Sequence, residues 1–258
     1  MPELPDVEGF RRRLERHGRR GRIKDVDVID AGVVRNADGA GFRRALVGHR
    51  FRSPQRRGKW LVAPTDGPVL LMHFGMTGSL EWDAEPHRHD RMVLRLDGHE
   101  LRYRDQRKLQ GLWLADDDEE AARIIGRQGP DAWGITRAQL EERLSGKRTG
   151  LKAALMDQAV IAGLGNIVTD EVLWRARLNP QRRPSSLNAD EWGRLHRSLR
   201  RVLKDSIEAG HVPAERSWLT SRRTEPDPAC PRCRRPLQRT RSGGRTTLWC
   251  PACQPERP

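Results

Sequence analysis

All four cysteines of the 258-residue chain lie near its end as two C-x₂-C pairs, Cys230 with Cys233 and Cys250 with Cys253. Each pair can direct two thiolates at one tetrahedral ion, and this spacing is typical of a zinc ribbon. Between the pairs, the turn signal of residues 242–244 predicts a β-hairpin. Two disulfides are the alternative, but no secretory signal precedes them, which favours zinc. Four cysteine ligands leave no open position, so the predicted Zn²⁺ is structural.

Pro2 is a second candidate for chemistry. Removal of the initiator methionine would leave Pro2 with a secondary amine, which can attack an aldehyde carbon to form an iminium. An α-amino group titrates near about 7.7–8.0, so a useful fraction is neutral at physiological pH. The adjacent Glu3 could carry protons for such a reaction. The residues alone leave open that Pro2 only starts the fold.

The charge of the chain indicates a polyanionic partner. Lys and Arg number 49 against 35 Asp and Glu, a formal net charge of +14, which is typical of a nucleic-acid-binding protein, although charge alone leaves a generically basic surface equally open. No apolar run approaches the roughly 18 residues that a membrane span needs. The N-terminus lacks the features of a signal peptide. We therefore expect a cytoplasmic, nucleoid-associated protein without a membrane partner.

The pattern of apolar residues predicts an α+β, multi-domain chain. A helix begins near residue 4 and ends at Gly18, and helical spacing returns from Thr136 to Gly210. Period-two patterning between them predicts an antiparallel β-sandwich or barrel. The predicted strands are Ile23–Ile29, Trp60–Ala63, Val69–His73, Met92–Leu96, Glu100–Tyr103 and Leu112–Ala115. The predicted domains are residues 1–130, an N-terminal helix with a sandwich; residues 131–222, helical; and residues 223–258, a zinc hairpin.

Several separated motifs, in this order, resemble the formamidopyrimidine-DNA glycosylase/endonuclease VIII family over nearly the whole chain. The N-terminal Pro2-Glu3-Leu4-Pro5 is similar to the family's signature. The other motifs are Gly58-Lys59, the segment from His73 to Ser79, the segment from Lys152 to Gln158, Gly163-Leu164-Gly165-Asn166-Ile167 with Asp170-Glu171, and the segment from Arg245 to Cys250. The resemblance implies that the helical domain holds a helix-two-turn-helix within residues 151–176, and that the C-terminal hairpin is the family's zinc finger.

The resemblance implies a bifunctional DNA glycosylase and abasic-site lyase of base excision repair. The family's N-terminal proline, here Pro2, attacks C1′ of the damaged nucleoside and forms a Schiff base. The neighbouring glutamate, here Glu3, protonates the opening sugar ring, and β,δ-elimination then nicks the strand. A basic residue on a β-turn, here Lys59, contacts phosphate and supports catalysis.

The resemblance also implies how double-stranded DNA with damaged bases or abasic sites is held, by a protein expected to be a monomer. Asn166 and Arg245 match the family's asparagine and finger arginine, which grip the backbone at the lesion. Helix N–H groups near Asn166 suit a phosphate oxygen, although an ordinary helix cap is the simpler interpretation. Met76 and Arg107 match residues that fill the gap left by the extruded nucleotide, with core packing the alternative for Met76, and Leu109 stands where the family commonly has a phenylalanine wedge. His73 and Lys152 complete the predicted DNA contacts.

Three departures from the family's pattern keep alternatives open. Asp6 stands where glutamate is usual, and Gln106 and Gln110 replace a proline and a glycine. Only residues 211–229 separate the helical run from the zinc module, which is short for a loop that covers 8-oxoguanine. One alternative is a relative specialised for bulky or crosslinked adducts. The other is a non-catalytic, zinc-containing binder of damaged DNA. The preferred lesion, the opposite base and the extent of elimination are not fixed by the sequence.

Overall fold

The computed structural model describes residues 2–256, and its chain divides into two compact units. The first contains residues 2 and 6–126, and the second contains residues 3–5 and 127–256. The α+β class is confirmed, with antiparallel sheets in the first unit and helices with a terminal hairpin in the second. The division into three domains stays a prediction. No helix within residues 2–256 is long and apolar enough to cross a membrane.

Two four-stranded antiparallel sheets form the first unit. The strands are β1 Asp25–Asp27, β2 Gln55–Arg57, β3 Trp60–Pro64, β4 Val69–His73, β5 Ser79–Trp82, β6 Asp90–Leu96, β7 His99–Arg104 and β8 Leu112–Ala115. One sheet has the order β1-β6-β7-β5 and the other β2-β3-β4-β8. Strands β2 and β5, which were not predicted from the sequence, are only three and four residues long.

The second of these sheets is buried on both faces. Leu61 and Met72 point into the core shared by the two sheets, whereas Trp60 and Leu71 pack on the other face against helix α3 (Asp118–Ile125). Burial on both faces explains why β3 and β4 read as continuous apolar runs instead of alternating ones. The predicted sandwich is therefore present, with a helix covering one outer face.

Two further helices belong mainly to the first unit. Helix α1 (Leu4–Arg13) continues as a π-helical turn to Gly18, as the sequence predicted. Its Val7 and Phe10 enter the sandwich core. Helix α2 (Gly39–Leu46), capped by Asp38, was not predicted, nor was α3. Both have eight residues, which is short for a periodic signal.

The second unit consists of four helices followed by a hairpin. Helix α7 (Ala189–Ala209) begins at a capping box of Asn188 and Glu191 and is terminated by Gly210, whose φ of 74° suits glycine, as predicted. The helices share one apolar core, and a smaller core surrounds the cysteines. The elements are α4 Arg137–Ser145, α5 Leu151–Met156, α6 Asn166–Ala176, α7 Ala189–Ala209, a 3₁₀ turn at Leu219–Arg222, and strands β9 Gln238–Ser242 and β10 Arg245–Trp249.

Candidate active site and metal centre

Glu3 is fully buried, and its carboxylate lies at the N-terminus of α6. Oε1 accepts a hydrogen bond from the backbone N–H of Ile167 at 2.7 Å. Oε2 accepts from Gly165 at 3.1 Å and from Val168 at 3.0 Å. The unsatisfied N–H groups and the positive dipole end of the helix both stabilise a carboxylate. The expectation that N–H groups here hold a phosphate oxygen is thereby corrected for these three, because the anion that they bind is Glu3.

The glycine turn before α6 lets Glu3 approach this closely. The N–H of Leu4 donates to the carbonyl of Gly163 at 3.1 Å, which fixes the chain next to Glu3. A Cβ on Gly165 would lie 2.3 Å from Cδ of Glu3, a distance that real atoms do not tolerate. Gly163 has φ +103°, and a Cβ there would lie 2.6 Å from Cδ1 of Leu4. The motif thus consists of glycines because a buried side chain occupies the space of their missing Cβ atoms.

Two other predicted residues are next to these groups in the chain. Pro2 directly precedes Glu3 and is partly exposed. Asn166 is the first residue of α6, and its side chain does not cap the helix. Within the described residues, its buried Oδ1 has no hydrogen-bond partner. The side chain of Asn166 therefore does not act as an ordinary helix cap, and its contact with the DNA backbone stays a prediction.

Lys59 lies in the two-residue turn before β3, and, together with burial, its charge lowers the pKa of His73 at the end of β4. Gly58 and Lys59 connect β2 to β3, and Gly58 has φ +59°. Trp60 pairs with His73 across β3 and β4, and their ring centroids are 4.9 Å apart. Burial and, after it, the positive charge of Lys59 lower the pKa of His73 to about 4. His73 is therefore neutral at pH 7, and its Nδ1 accepts the N–H of Gly75 at 3.1 Å.

Met76, Arg107 and Leu109 lie on two loops that the structure brings together. Nη1 of Arg107 contacts Sδ of Met76 at 3.0 Å. Leu109 is 50% exposed, one of three large hydrophobic side chains that the described residues leave exposed. Leu109 is exposed two residues after Arg107, and Met76 is only partly buried, which is consistent with a wedge that enters a base stack and not with full core packing.

The loop that carries these residues is held by groups that the sequence analysis did not single out. The buried Asp105 accepts the hydroxyl of Thr77 at 2.5 Å and the N–H of Arg107 at 3.1 Å. Arg35 donates to the carbonyls of Lys108 and Gln110, each at 2.7 Å. The short sequence distance from Asp105 to Arg107 was an available signal for the first contact. Nothing local indicated Arg35, which lies far away in sequence.

Arg245 is the first residue of β10 and is exposed beside a tight turn. It pairs with Ser242 across a two-residue loop of Gly243 and Gly244, whose φ angles are +56° and +73°. Such a loop requires positive φ at both positions, which glycine adopts without strain. The predicted hairpin therefore presents Arg245 at its tip.

Lys152 does not lie where a direct DNA contact would need it. Its side chain is fully buried, and its Nζ is 2.7 Å from Oδ1 of Asp170. The same ammonium donates to the carbonyl of Thr246 at 3.1 Å and to the hydroxyl of Thr247 at 2.8 Å. Burial lowers the pKa of Lys152, and the Asp170 carboxylate opposes that shift. The prediction of a direct contact is corrected, because all of these partners are internal.

The four cysteines form a cluster with the dimensions of a zinc site. Their sulfur atoms all lie within 4.8 Å of one another, with Cys230 and Cys253 3.9 Å apart and Cys233 and Cys250 3.5 Å apart. A disulfide would need about 2.05 Å, so the disulfide alternative does not fit. Tetrahedral zinc with Zn–S bonds of about 2.3 Å separates its sulfurs by about 3.8 Å. The ligand set fits one structural Zn²⁺.

Three family profiles match the chain in order. They describe the formamidopyrimidine-DNA glycosylase N-terminal domain at residues 1–112, the H2TH domain of the same enzyme at residues 128–216, and a zinc finger found in FPG and IleRS at residues 228–255. The H2TH match confirms the predicted helix-two-turn-helix, and the third match confirms the zinc finger.

Curated relatives and solved structures agree with these profiles. The formamidopyrimidine-DNA glycosylase of Desulfitobacterium hafniense is 34% identical over an alignment 275 positions long, covering 98% of this chain and all of the relative. That of Symbiobacterium thermophilum is 37% identical, covering 99% of this chain and 90% of the relative. The Lactococcus lactis enzyme bound to DNA with an abasic site superposes with a TM-score of 0.88 at 27% identity, covering 99% and 100% of the two chains. A second Lactococcus lactis complex contains N7-benzyl-Fapy-dG DNA and superposes with a TM-score of 0.87.

Proposed function

The chain belongs to the formamidopyrimidine-DNA glycosylase family, and from that premise we propose which of its residues carry out the reaction. It is a DNA glycosylase of base excision repair, with the abasic-site lyase activity that is typical of the family. Its partner is DNA that contains a damaged base or an abasic site. One structural Zn²⁺ held by four cysteines belongs to the active protein.

We assign the nucleophile to the amine of Pro2, which removal of Met1 frees. Its nitrogen attacks C1′ and forms an N–C1′ bond, while the bond from C1′ to the base breaks and the base leaves with a proton from water. Opening of the sugar ring gives an iminium, and this cation acidifies the proton at C2′. Loss of that proton expels the 3′ phosphate, and a second elimination expels the 5′ phosphate. No metal is needed for any of these steps, since the iminium accepts the electrons.

The arrangement of Glu3 supports its assignment as the proton carrier, and this single observation carries the proposal most strongly. The carboxylate is buried and held by three N–H groups, directly after Pro2 in the chain. The carboxylate can take the proton that the Pro2 nitrogen gives up on attack, pass it to the ring oxygen as the sugar opens, and later accept the proton from C2′.

The DNA-contacting residues fall into two groups with separate tasks. Asn166, Arg245 and Lys59 contact the phosphate backbone, with His73 as a neutral hydrogen-bonding partner. The pair of Met76 and Arg107, with Leu109, fills the gap that the extruded nucleotide leaves. Unstacking a base step costs a few kcal/mol, which inserted side chains offset. We further propose that one copy of the chain suffices, and that it works in the cytoplasm where its substrate DNA is found.

A second candidate concerns the lesion, and the segment after α7 favours it. The N–H of Leu219 donates to Glu171 at 2.8 Å, the guanidinium of Arg175 stacks on Trp218 at 4.3 Å, and Arg223 pairs with Asp170 at 2.7 Å. This short segment is bound to α6 at three points, and it has little length left to cover a base. The observation supports a relative that accepts bulky or crosslinked adducts in addition to oxidised bases.

The experiment that tests the proposal compares lesions in one duplex sequence. We expect base release and strand nicking without added divalent metal, and a covalent adduct after borohydride reduction. The panel contains formamidopyrimidine, 8-oxoguanine, oxidised pyrimidine, abasic and bulky alkylated sites. No activity on any lesion would contradict the enzyme assignment. A strong preference for 8-oxoguanine opposite cytosine would contradict the second candidate alone.

A further inference from the structure

Three consecutive residues of β10 are bound by buried charged groups that lie outside the hairpin. The carbonyl of Thr246 and the hydroxyl of Thr247 accept from Lys152. The N–H of Leu248 donates to Oδ2 of Asp170 at 3.1 Å. These contacts begin one residue after Arg245, so they fix the strand that carries it.

The pairing of the hairpin explains why these backbone groups need partners. In an antiparallel pair, residues alternate between positions bonded to the partner strand and positions whose N–H and C=O point away from it. Arg245 faces Ser242 next to the tight turn, so Thr246 and Leu248 fall at the outward-pointing positions of the edge. An unpaired backbone group in the interior is costly. Lys152 and Asp170 satisfy this edge of β10.

Asp170 is the centre of the network. It is 1% exposed, and it contacts Lys152 on α5 at 2.7 Å and Arg223 at 2.7 Å. Arg223 also reaches the carbonyl of Thr246 at 3.4 Å. Two cations and one carboxylate therefore converge on one short stretch of backbone. A buried ion pair of this kind adds little net stability, but it specifies one arrangement of the groups that it joins.

We propose that Asp170 is a positioning residue that sets the place of Arg245 relative to Asn166. Asp170 lies one helical turn after Asn166 on α6, so the same rigid helix carries one DNA-contacting residue and the anchor of the other. Lys152 and Arg223 complete the anchor. This inference rests on the proposed function, since it assumes that Arg245 contacts a phosphate.

The test is a double-mutant cycle of Asp170→Asn with Arg245→Ala. The probe is a duplex with a tetrahydrofuran abasic-site analogue, and the measured quantity is its Kd as a function of salt. Each variant must first show full zinc content and a cooperative unfolding transition. We expect Asp170→Asn to weaken binding roughly tenfold in the wild-type background and less than twofold in the Arg245→Ala background.

The salt dependence separates positioning from simple electrostatics. Asp170→Asn makes the protein more positive, which by itself would tighten DNA binding. Loss of one phosphate contact instead reduces the slope of log K against log salt by about 0.9. We expect the shallower slope in both single variants and no further change in the double variant. Equal weakening in both backgrounds, or a steeper slope, would overturn the proposal.

Three controls keep the outcome decisive. Asp205→Asn changes the net charge by the same amount while it breaks an ion pair with Arg201 on the surface of α7, so its binding should be no weaker than that of the wild type. If Asp170→Asn fails to fold, Arg223→Met removes one arm of the network from a partly exposed position and should give a smaller effect of the same kind. An Arg245→Ala protein with normal affinity would overturn this inference, while borohydride trapping would show separately whether the proposed chemistry stands.

Discussion

Replacement of Gly165 by alanine should disable base excision by displacing a side chain that is 162 positions away in sequence. The new Cβ would lie 2.3 Å from Cδ and 2.6 Å from Oε1 of Glu3, so the carboxylate must leave its place. Each hydrogen bond to a charged group contributes about 1.5–3 kcal/mol, so losing two of the three N–H bonds removes about 3–6 kcal/mol of the interaction energy that holds the Glu3 carboxylate in place. A positioned proton-transfer group contributes about 10²–10⁴-fold in rate, and we expect a loss in that range.

The assay for Gly165→Ala separates base release from later steps. Single-turnover excision should fall, whereas borohydride trapping on a pre-formed abasic site should persist, because an open-chain aldehyde needs no base to leave. Gly146→Ala is the matched control, since a Cβ there meets nothing within 4 Å and the φ of −80° suits alanine. A folded Gly165→Ala protein that excises bases at the rate of the control would refute the reasoning about Glu3.

Three further predictions concern the metal, the wedge and pH. Removal of zinc by a chelator, or Cys233→Ser, should unfold the hairpin and abolish tight DNA binding, because a core this small depends on its metal. Hydrogen exchange of residues 228–255 measures the unfolding, and protection that persists without zinc would contradict the prediction. Leu109→Ala should slow base excision about tenfold and leave nonspecific DNA binding unchanged, whereas Leu109→Phe should not slow excision. The fluorescence of 2-aminopurine placed beside the lesion reports base unstacking. Equal fluorescence traces for wild type and both variants would contradict the wedge role of Leu109. The pKa of His73 is depressed to about 4, so its contribution to stability is complete above its unfolded pKa near 6.5 and is lost as pH falls towards 4. Between pH 6.5 and 4, the free energy of unfolding of wild type should therefore fall by up to about 3 kcal/mol more than that of His73→Gln, as measured by thermal unfolding. Parallel pH dependences of the two proteins would contradict this prediction.

The sequence predicted those features whose signals are local. The cysteine spacing predicted the zinc cluster, and the Gly243-Gly244 pair predicted the hairpin turn. The capping box of α7 and its terminal Gly210 also lay within a few residues of the helix ends. In each case the residue type is tied to one backbone geometry, so the pattern identifies the structure.

Contacts between residues that are far apart in the chain could not be predicted from the sequence. The glycine turn before α6 was recognised, but its reason is the buried Glu3, whose partners are more than 160 residues away. Lys152 was predicted to contact DNA, but it is one of the lysines that are buried because they are paired. Its partner Asp170 and the edge of β10 come together only in the folded second unit.

The identity of the atom that becomes bonded to the sugar tests the central claim most directly. The protein is incubated with a duplex that contains an abasic site, reduced with borohydride, digested, and examined by mass spectrometry. The proposed chemistry predicts a single modified peptide in which the nitrogen of Pro2 carries the sugar remnant. An adduct on a lysine side chain such as Lys59, or no adduct from a protein that still nicks the strand, would contradict it.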